Sequence, residues 1–336
     1  MSQYVCVRVT RMDEIDVALF ERDWHNTLYF FFLNSDEQIY MRYGGRDPAS
    51  PDTYLNLDSI ELALKRGLEL HEQYKQGKLP KTGKPGPKFP REYPLLVERT
   101  FKRNACVECH LIGDFQNLHR EQDGTLDKLV HLFRSPDIKT IGIDLDIPKG
   151  LLVKGARAAA ADAGMKPGDT IAAVNGRPVY TFADLQFVYD KTPRNADIVK
   201  LTVERAGKPQ ELTLKLPERW WWTDLRFRQS SVDPKLYFDS KPLPAGGKEK
   251  FGLKPNGFAS QVSYVSSMAQ LMKVHELKTG DIVYAVDGVD VDPLANTAEL
   301  YIQLHKKPGD SAQLDVIRDG ARIKIELKSQ RMSFRK

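Results

Sequence analysis

The sequence has few cysteines and little net charge, and both shortages exclude classes of protein. Its 336 residues contain three cysteines, Cys6, Cys106 and Cys109, which do not make a disulfide framework. The net charge of +5 is small for this length and does not indicate a nucleic-acid-binding protein. No uncharged apolar run reaches the roughly 18–20 residues that cross a bilayer, so we expect no membrane span.

The sequence also lacks the short motifs by which many enzymes are identified. The nucleophile elbow GxSxG, the zinc motif HExxH, the Walker phosphate loop and the dinucleotide motif GxGxxG do not occur. The Gly-Asp-Ser-Gly nucleophile loop of trypsin-like proteases is absent as well. The sequence therefore predicts no hydrolytic centre and leaves open whether the protein is an enzyme.

The first residues carry no secretory signal. Met1 is followed almost directly by the alternating run YVCVRVT, without the basic and apolar segments of a signal peptide. Taken at face value, this start predicts a cytoplasmic protein. The alternation predicts a strand, in which Cys6 is a small buried side chain.

A repeated segment organises the second half of the chain. AGMKPGDTIAAVNGRPV (163–179) and HELKTGDIVYAVDGVDV (275–291) align so that Gly168 matches Gly280, an offset of 112 residues. In each copy an amphipathic helix follows, and then two strands around a tight turn. The repeat predicts two copies of one small α+β domain.

The Gly-Asp turn, the strand and the Asn/Asp-Gly turn of each copy resemble the bacterial PDZ domains of periplasmic proteases. The resemblance implies that a C-terminal peptide adds as a strand beside the second helix, while N–H groups of a short loop bind its carboxylate. The matching loops are Ile141, Gly142 and Ile143 in the first copy and Phe251, Gly252 and Leu253 in the second. Partners are then protein C-termini or neighbouring domains, although Asp144 would oppose an anionic ligand in the first copy.

The N-terminal part reads as two apolar strands within 27–45 and a long helix within 55–77. Asp58 is the predicted N-cap of this helix, with Glu61 three residues later. This order looks like the second half of a thioredoxin fold. The strand and helix that carry the redox cysteines of a thioredoxin would precede Met1.

The order of the whole chain resembles one bacterial family that joins a thioredoxin-like domain, a Cys-x-x-Cys-His segment and PDZ domains. Some members of that family are selenoproteins. The resemblance includes RYGGRD (42–47), CVECH (106–110) and WWWTDLRFR (220–228). It implies that a selenocysteine codon was read as a stop, so that the natural protein is longer and exported, for example to the periplasm. Genomic DNA without an in-frame TGA or coding sequence ahead of Met1 would contradict this expectation.

The Cys-x-x-Cys-His motif supports several hypotheses. In the first, Cys106 and Cys109 carry a covalent haem c and His110 is the metal ligand, with His119 or His131 as the candidate sixth ligand. In the second, the two thiols cycle between dithiol and disulfide. In the third, they hold zinc or copper with His110 and one further histidine. In the last, no cofactor is bound and the cysteines are structural.

The predicted fold is an α+β and α/β multidomain chain. Its predicted parts are a C-terminal part of a thioredoxin-like domain (1–77), a Pro/Lys linker (78–97), a helical CxxCH segment (98–136), a first PDZ domain (137–217), an aromatic connector (218–247) and a second PDZ domain (248–330). The expected function is that of an exported, redox-associated protein with a haem c-like segment and tandem PDZ domains for protein binding. The alternative is a non-enzymatic PDZ scaffold with a structural, dithiol or metal-binding motif. The sequence does not indicate the redox partner.

Overall fold

The computed structural model describes residues 3–26, 28–47, 49–50, 52–223, 225 and 234–331. The chain divides into two compact units, Met1–Gln229 and Ser230–Lys336. Within the described ranges, no helix has the length and apolar character that a membrane crossing requires.

The first unit combines a hairpin, several helices and two further sheets. The N-terminal elements are β1 (Tyr29–Leu33), β2 (Ile39–Gly44), α1 (Leu57–Lys75), α2 (Pro94–Arg99), α3 (Cys109–Gln122) and α4 (Lys128–His131). The elements that follow are β3 (Ile143–Leu145), β4 (Val153–Ala156), α5 (Ala158–Asp162), β5 (Thr170–Val174), β6 (Arg177–Pro178), α6 (Phe182–Asp190), β7 (Ile198–Arg205) and β8 (Lys208–Lys215). β1 pairs with β2, β3 pairs with β4, and the remaining strands form a sheet in the order β6-β5-β7-β8.

The second unit follows a similar order of elements around one sheet, with an additional helix, α7, between its first two strands. Its elements are β9 (Phe238–Pro242), α7 (Ala245–Lys250), β10 (Ser260–Val265), α8 (Ser267–Leu271), β11 (Ile282–Val286), α9 (Ala298–His305), β12 (Ser311–Arg318) and β13 (Ala321–Lys328). The sheet order β13-β12-β11-β10-β9 places β9 at one edge. Helix α9 and the sheet share an apolar core that includes Phe258, Val283, Ile302 and Leu314.

The repeated Gly-Asp turn is held by the same ion pair in both units. Asp169 accepts from Arg205 Nε and Nη2 at 2.6 and 2.7 Å, and Asp281 accepts from Arg318 at 2.8 and 2.7 Å. Both carboxylates are buried. A bidentate arginine–carboxylate pair fixes geometry as well as charge, so each pair joins the turn to the end of the strand opposite, β7 or β12.

The Asn-Gly and Asp-Gly turns also repeat in three dimensions. Asn175 and Asp287 have φ angles of 47° and 51°, in the left-handed region that Asn and Asp tolerate. Their side-chain oxygens accept from the backbone N–H groups of Lys200 (3.0 Å) and Gln313 (2.8 Å). The same side chain therefore permits the turn and ties it to the neighbouring strand.

The prediction of a buried strand around Cys6 is wrong. Residues 5–10 form no strand, Cys6 is exposed, and Val5 and Val7 are 93% and 82% exposed. An alternating pattern buries one face only when a sheet receives the strand. Here β1 and β2 pair with each other and with no third described strand.

The predicted hairpin and long helix are present as β1, β2 and α1, but the described residues contain no central strand, and the thioredoxin-like interpretation stays a prediction. The three elements share a small core that includes Phe32 and Met41. Helix α1 has Asn56 as its N-cap, whose side chain accepts from the N–H groups of Asp58 and Ser59. The predicted N-cap, Asp58, lies instead in the first turn of the helix.

The helix predicted over 98–119 is interrupted before the second cysteine. A short 3₁₀ turn ends at Asn104, which adopts a left-handed φ of 52°, and α3 begins at Cys109. The second predicted helix, 126–134, is reduced to α4, which starts after the N-cap Asp127. Helical pattern alone did not show the left-handed Asn104 and the non-helical stretch 105–108 that precede α3.

We expect Gly142→Ala to unfold the first unit more easily than Gly176→Ala. Both glycines have left-handed φ angles, 86° and 76°, but a Cβ at Gly142 would lie 1.8 Å from the carbonyl oxygen of Arg157, whereas Gly176 has nothing within 4 Å. The expected loss is about 3 kcal/mol for Gly142 and about 1 kcal/mol for Gly176. All four tryptophans lie in the first unit, so their fluorescence during urea unfolding measures it. Equal losses would contradict the prediction.

Candidate functional site

The predicted carboxylate-binding loop of the first copy has the expected backbone shape. Ile141 and Ile143 are buried, and Gly142 between them is left-handed. The Gly142 carbonyl accepts from the Arg157 N–H at 2.9 Å, which anchors the loop to the end of β4. The loop leads into β3, which pairs only with β4 among the described strands.

Helix α6, which with β3 would form the peptide groove, is buried along nearly its whole length. Its buried residues are Phe182, Ala183, Asp184, Leu185, Gln186, Val188, Tyr189 and Asp190. The N-terminal part of the chain covers it. The Arg42 N–H donates to Asp184 Oδ1 at 2.9 Å, the hydroxyl of Thr181 donates to the Arg42 carbonyl, and the Tyr54 ring stacks on Phe182 with centroids 3.2 Å apart.

A carboxylate of the chain itself lies beside the loop. Lys139 Nζ contacts buried Asp47 Oδ2 at 2.8 Å, two residues before Ile141. Burial alone would raise the pKa of Asp47, but Lys139 and the N–H of Ser50 outweigh it and lower the pKa. Asp47 and Lys139 therefore form an ion pair within the first unit, and Lys139 lies two residues before Ile141.

The aromatic connector closes the opposite end of α6. The Thr140 hydroxyl donates to the Trp220 carbonyl at 3.4 Å, and the Trp220 ring lies 5.0 Å from the Tyr189 ring. Trp220 and Trp221 are both buried, and Trp221 contacts Phe133 edge to face. The groove side of the first copy is thus packed against its own chain at both ends.

The equivalent loop of the second copy is 236–238. Tyr237 is left-handed, with φ of 60°, and its carbonyl accepts from the Ser266 N–H at 2.9 Å, as Gly142 accepts from Arg157. The loop precedes β9 as 141–143 precedes β3.

The sequence placed the second loop too late, at Phe251, Gly252 and Leu253. These residues follow α7 in the connection between β9 and β10. That connection spans 243–259, whereas its counterpart in the first copy spans only 146–152. The inserted helix α7 lengthens this connection, so the loop of the second copy lies further ahead of its Gly-Asp turn than the loop of the first copy does.

A buried histidine contacts two residues of the second loop. His275 Nε2 lies 2.8 Å from the Leu236 carbonyl, and its ring contacts the Phe238 ring edge to face. Burial lowers the pKa of His275, so the neutral ring is favoured and its Nε2–H donates to that carbonyl. Sequence reasoning missed this residue, since a lone histidine before a turn carries no distinctive pattern.

The groove of the second copy lies between edge strand β9 and helix α9. Only Ala298, Leu300 and Ile302 of α9 are buried. The Ser240 N–H donates to Glu299 Oε2 at 3.0 Å, and the Ser240 hydroxyl lies 3.4 Å from the same oxygen. The Glu299 side chain therefore accepts from the Ser240 N–H of edge strand β9.

The two cysteines of the Cys-x-x-Cys-His motif are free thiols. Cys106 is exposed, and Cys109 is partly buried as the first residue of α3. Arg22 Nη2 donates to Cys109 Sγ at 2.9 Å. Lys102, a cation close to the motif in sequence, pairs with Glu98.

The three candidate histidine ligands are not gathered around the cysteines. The His110 side chain is 43% exposed, and His119 Nε2 lies 3.2 Å from Asp123. His131 Nδ1 accepts from the Asp127 N–H at 3.0 Å, and burial lowers the pKa of His131 to about 4. Among the described residues, no group of three or more His, Cys, Asp or Glu side chains is arranged to hold a metal ion. The zinc or copper set is therefore not assembled in this structure.

Covalent haem fits the surroundings of Cys109 poorly. A thioether sulfur is a weak hydrogen-bond acceptor, whereas an anionic sulfur accepts strongly from a guanidinium group. The contact of 2.9 Å between Arg22 Nη2 and Cys109 Sγ is one that a thioether sulfur would accept only weakly. The haem c hypothesis stays a prediction.

Comparison with known proteins identifies one domain of the chain. A family model described as a PDZ domain matches residues 141–216, which confirms the PDZ resemblance of the first copy. The periplasmic serine endoprotease DegP of Salmonella typhimurium is 30% identical over 166 residues, covering 49% of this chain and 31% of DegP. The chain thus spans less than a third of the length of that relative. Nothing in these relatives supports the thioredoxin-like or selenoprotein interpretation.

Two solved structures show weaker likeness. The HtrA-type protease AlgW with a decapeptide is 15% identical, covers 54% of this chain and 54% of its own, and superposes with a TM-score of 0.29. An aminopeptidase N family protein from Idiomarina loihiensis is 17% identical, covers 31% and 15%, and has a TM-score of 0.23. These scores are too low to support a conclusion about the fold.

Asp184 is buried in the covered helix α6, and we expect it to make the unfolding free energy of the first unit fall as the pH rises. Burial raises the pKa of Asp184 from 3.8 to about 7, although Arg42 acts in the opposite direction. Because the folded state holds this proton more tightly, the stabilisation is complete below about pH 4 and is lost as the pH approaches 7. Asp184→Asn should flatten the decline of unfolding free energy over this range by on the order of 3 kcal/mol.

Tryptophan fluorescence during urea unfolding at several pH values measures this effect. Asp162→Asn, at an exposed position on α5, is the matched control and should keep the wild-type slope. A wild-type slope in Asp184→Asn would show that the carboxyl titrates normally in the folded protein.

Proposed function

We propose that this chain is part of an exported protein that binds the C-termini of other proteins through a second PDZ domain, residues 234–331. Its first PDZ domain is occupied by the protein's own N-terminal part. The observation that carries the proposal is the contrast between the two groove helices: α6 is buried along nearly its whole length, whereas only three residues of α9 are buried and most of the others are partly buried.

The second copy has the parts that strand addition requires. The left-handed Tyr237 shapes a loop whose backbone N–H groups can receive a carboxylate, and β9 is an edge strand. The buried side chains of Leu236 and Phe238 anchor the loop in the core, and His275 binds the Leu236 carbonyl. A peptide would extend the sheet beyond β9 with its C-terminus at 236–238.

Glu299 makes this groove selective. A peptide strand beside β9 needs the Ser240 N–H, which Glu299 accepts in the structure. The carboxylate must turn away, and it then favours a ligand with a hydroxyl or ammonium donor at the level of Ser240. The first copy has Ala183 at the matching position, counted from the N-caps Thr181 and Thr297.

Binding rather than proteolysis is the proposed activity. The likeness to periplasmic DegP supports export, but it covers only 31% of that protease. The sequence has no Gly-Asp-Ser-Gly loop, and no other hydrolytic motif was recognised in it. The PDZ match itself supports recognition of peptides or proteins.

We expect Glu299→Ala to raise the affinity of the full chain for C-terminal peptides about two- to tenfold, because the Ser240 N–H becomes available at no cost. Ser240→Pro removes that donor on an edge strand and should abolish binding. Fluorescence polarisation against a library of labelled C-terminal peptides measures both effects. Glu249→Ala makes the same charge change at an exposed site on α7 and is the matched control.

Two results would contradict this function. Peptides with amidated C-termini that bind as tightly as free acids would exclude the carboxylate loop at 236–238. Binding that survives Ser240→Pro but is lost on substitution in the first copy would reverse the assignment of the two grooves.

A further inference from the structure

The Cys-x-x-Cys pair lies outside the proposed peptide groove, and two separate features place positive electrostatic potential near one of its sulfurs. Cys109 begins α3, a helix of 14 residues whose first N–H groups have no partner within the helix. Arg22, 87 residues earlier in the chain, donates to the same sulfur at 2.9 Å.

Arg22 is held in place by groups other than the sulfur. Its guanidinium carbon lies 5.0 Å from the Trp24 ring centroid and 5.8 Å from that of Tyr29. Trp24 is buried, and its Nε1 donates to Gln116 on α3 at 3.2 Å. The Arg22 guanidinium group therefore lies beside Cys109 Sγ before any reaction takes place.

Cys106 is placed to complete a reactive pair. It is exposed on the non-helical stretch 105–108, three residues before Cys109. A disulfide forms once the Cα atoms come within roughly 4.4–6.8 Å, a span that two intervening non-helical residues can provide. Partial exposure beside a cation is the environment in which reactive cysteines occur, whereas structural cysteines are buried among apolar side chains.

We propose that Cys106 and Cys109 form a dithiol–disulfide exchange site whose substrates are disulfides of other proteins. The Cys109 thiolate attacks one sulfur of the substrate disulfide, a mixed disulfide forms, and the other substrate sulfur leaves and takes up a proton. The Cys106 thiolate then attacks Cys109 Sγ and releases the second substrate thiol. The substrate disulfide gains two electrons and becomes two thiols, and the Cys106–Cys109 pair is oxidised to a disulfide.

Arg22 sets the equilibrium of this exchange. It stabilises the reduced form, because a disulfide sulfur accepts poorly from a guanidinium group. Arg22→Gln should therefore shift the equilibrium constant about tenfold towards the protein disulfide, which corresponds to a potential about 30 mV lower. Arg103→Gln removes an exposed arginine of the same segment and should leave the equilibrium unchanged.

The equilibrium is measured on the full chain carrying Cys6→Ser, since Cys6 is a third exposed thiol. Protein is equilibrated with oxidised and reduced dithiothreitol at set ratios, alkylated, and weighed by mass spectrometry. We expect one intramolecular disulfide that peptide mapping assigns to Cys106 and Cys109. Thiols that stay reduced at every ratio, or Arg22→Gln and Arg103→Gln that behave alike, would overturn the proposal.

Single-cysteine variants identify the attacking sulfur. With a small aromatic disulfide as the probe, Cys106→Ser should accumulate a mixed disulfide at Cys109 and react faster than Cys109→Ser. The reverse order of rates would overturn the assignment of Cys109. Both variants should bind C-terminal peptides normally, so failure here is distinct from failure of the PDZ function.

Expression in a host that matures c-type cytochromes tests the competing chemistry. We expect both thiols to remain open to alkylation, without the absorbance of a pyridine haemochrome. A haem-sized mass increase on Cys106 and Cys109 would overturn the exchange site and establish the haem c hypothesis.

Discussion

The buried carboxylate of Asp190 ties the first PDZ domain to the segment before it. Oδ2 accepts from Arg134 Nε at 2.7 Å, while Oδ1 accepts from Arg194 Nη2 at 2.7 Å and from the Ser135 N–H at 3.0 Å. Burial alone would raise the pKa of Asp190, but the two arginines outweigh it and hold the pKa below its usual range. Separating these groups would leave charge buried and unpaired, which costs several kcal/mol. The covered helix α6 depends on this contact.

The two repeated domains share the ion pair at the Gly-Asp turn but differ in the contacts of their second helix. In both, a buried aspartate and an arginine lock the Gly-Asp turn to the opposite strand. The first copy then surrounds its groove helix with Arg42, Tyr54 and Trp220 from its own unit. In the second copy the Glu299 side chain of α9 contacts the backbone of β9. The two copies therefore differ in the groups that contact their second helix.

The cysteine pair and the covered helix are joined by a short stretch of chain. Arg22 contacts Cys109, and the preceding residue, Glu21, lies 3.2 Å from Arg134 and 2.7 Å from Lys191. Lys191 is the C-cap of α6. The segment around Arg22 therefore contacts both the cysteine pair and the end of α6.

The sequence by itself determined the repeat, its Gly-Asp and Asn/Asp-Gly turns and the PDZ domain at 141–216, because turns and amphipathic periods are local properties of neighbouring residues. It misplaced the second loop because the inserted α7 lengthens the connection that follows this loop, and it misjudged Cys6 because alternation does not show whether a partner strand exists. The tertiary structure alone decided that α6 is covered, that Tyr237 matches Gly142, and that Arg22 meets Cys109. These contacts join residues far apart in the chain, so their energies arise from packing and charge in three dimensions and leave no periodic trace in the sequence.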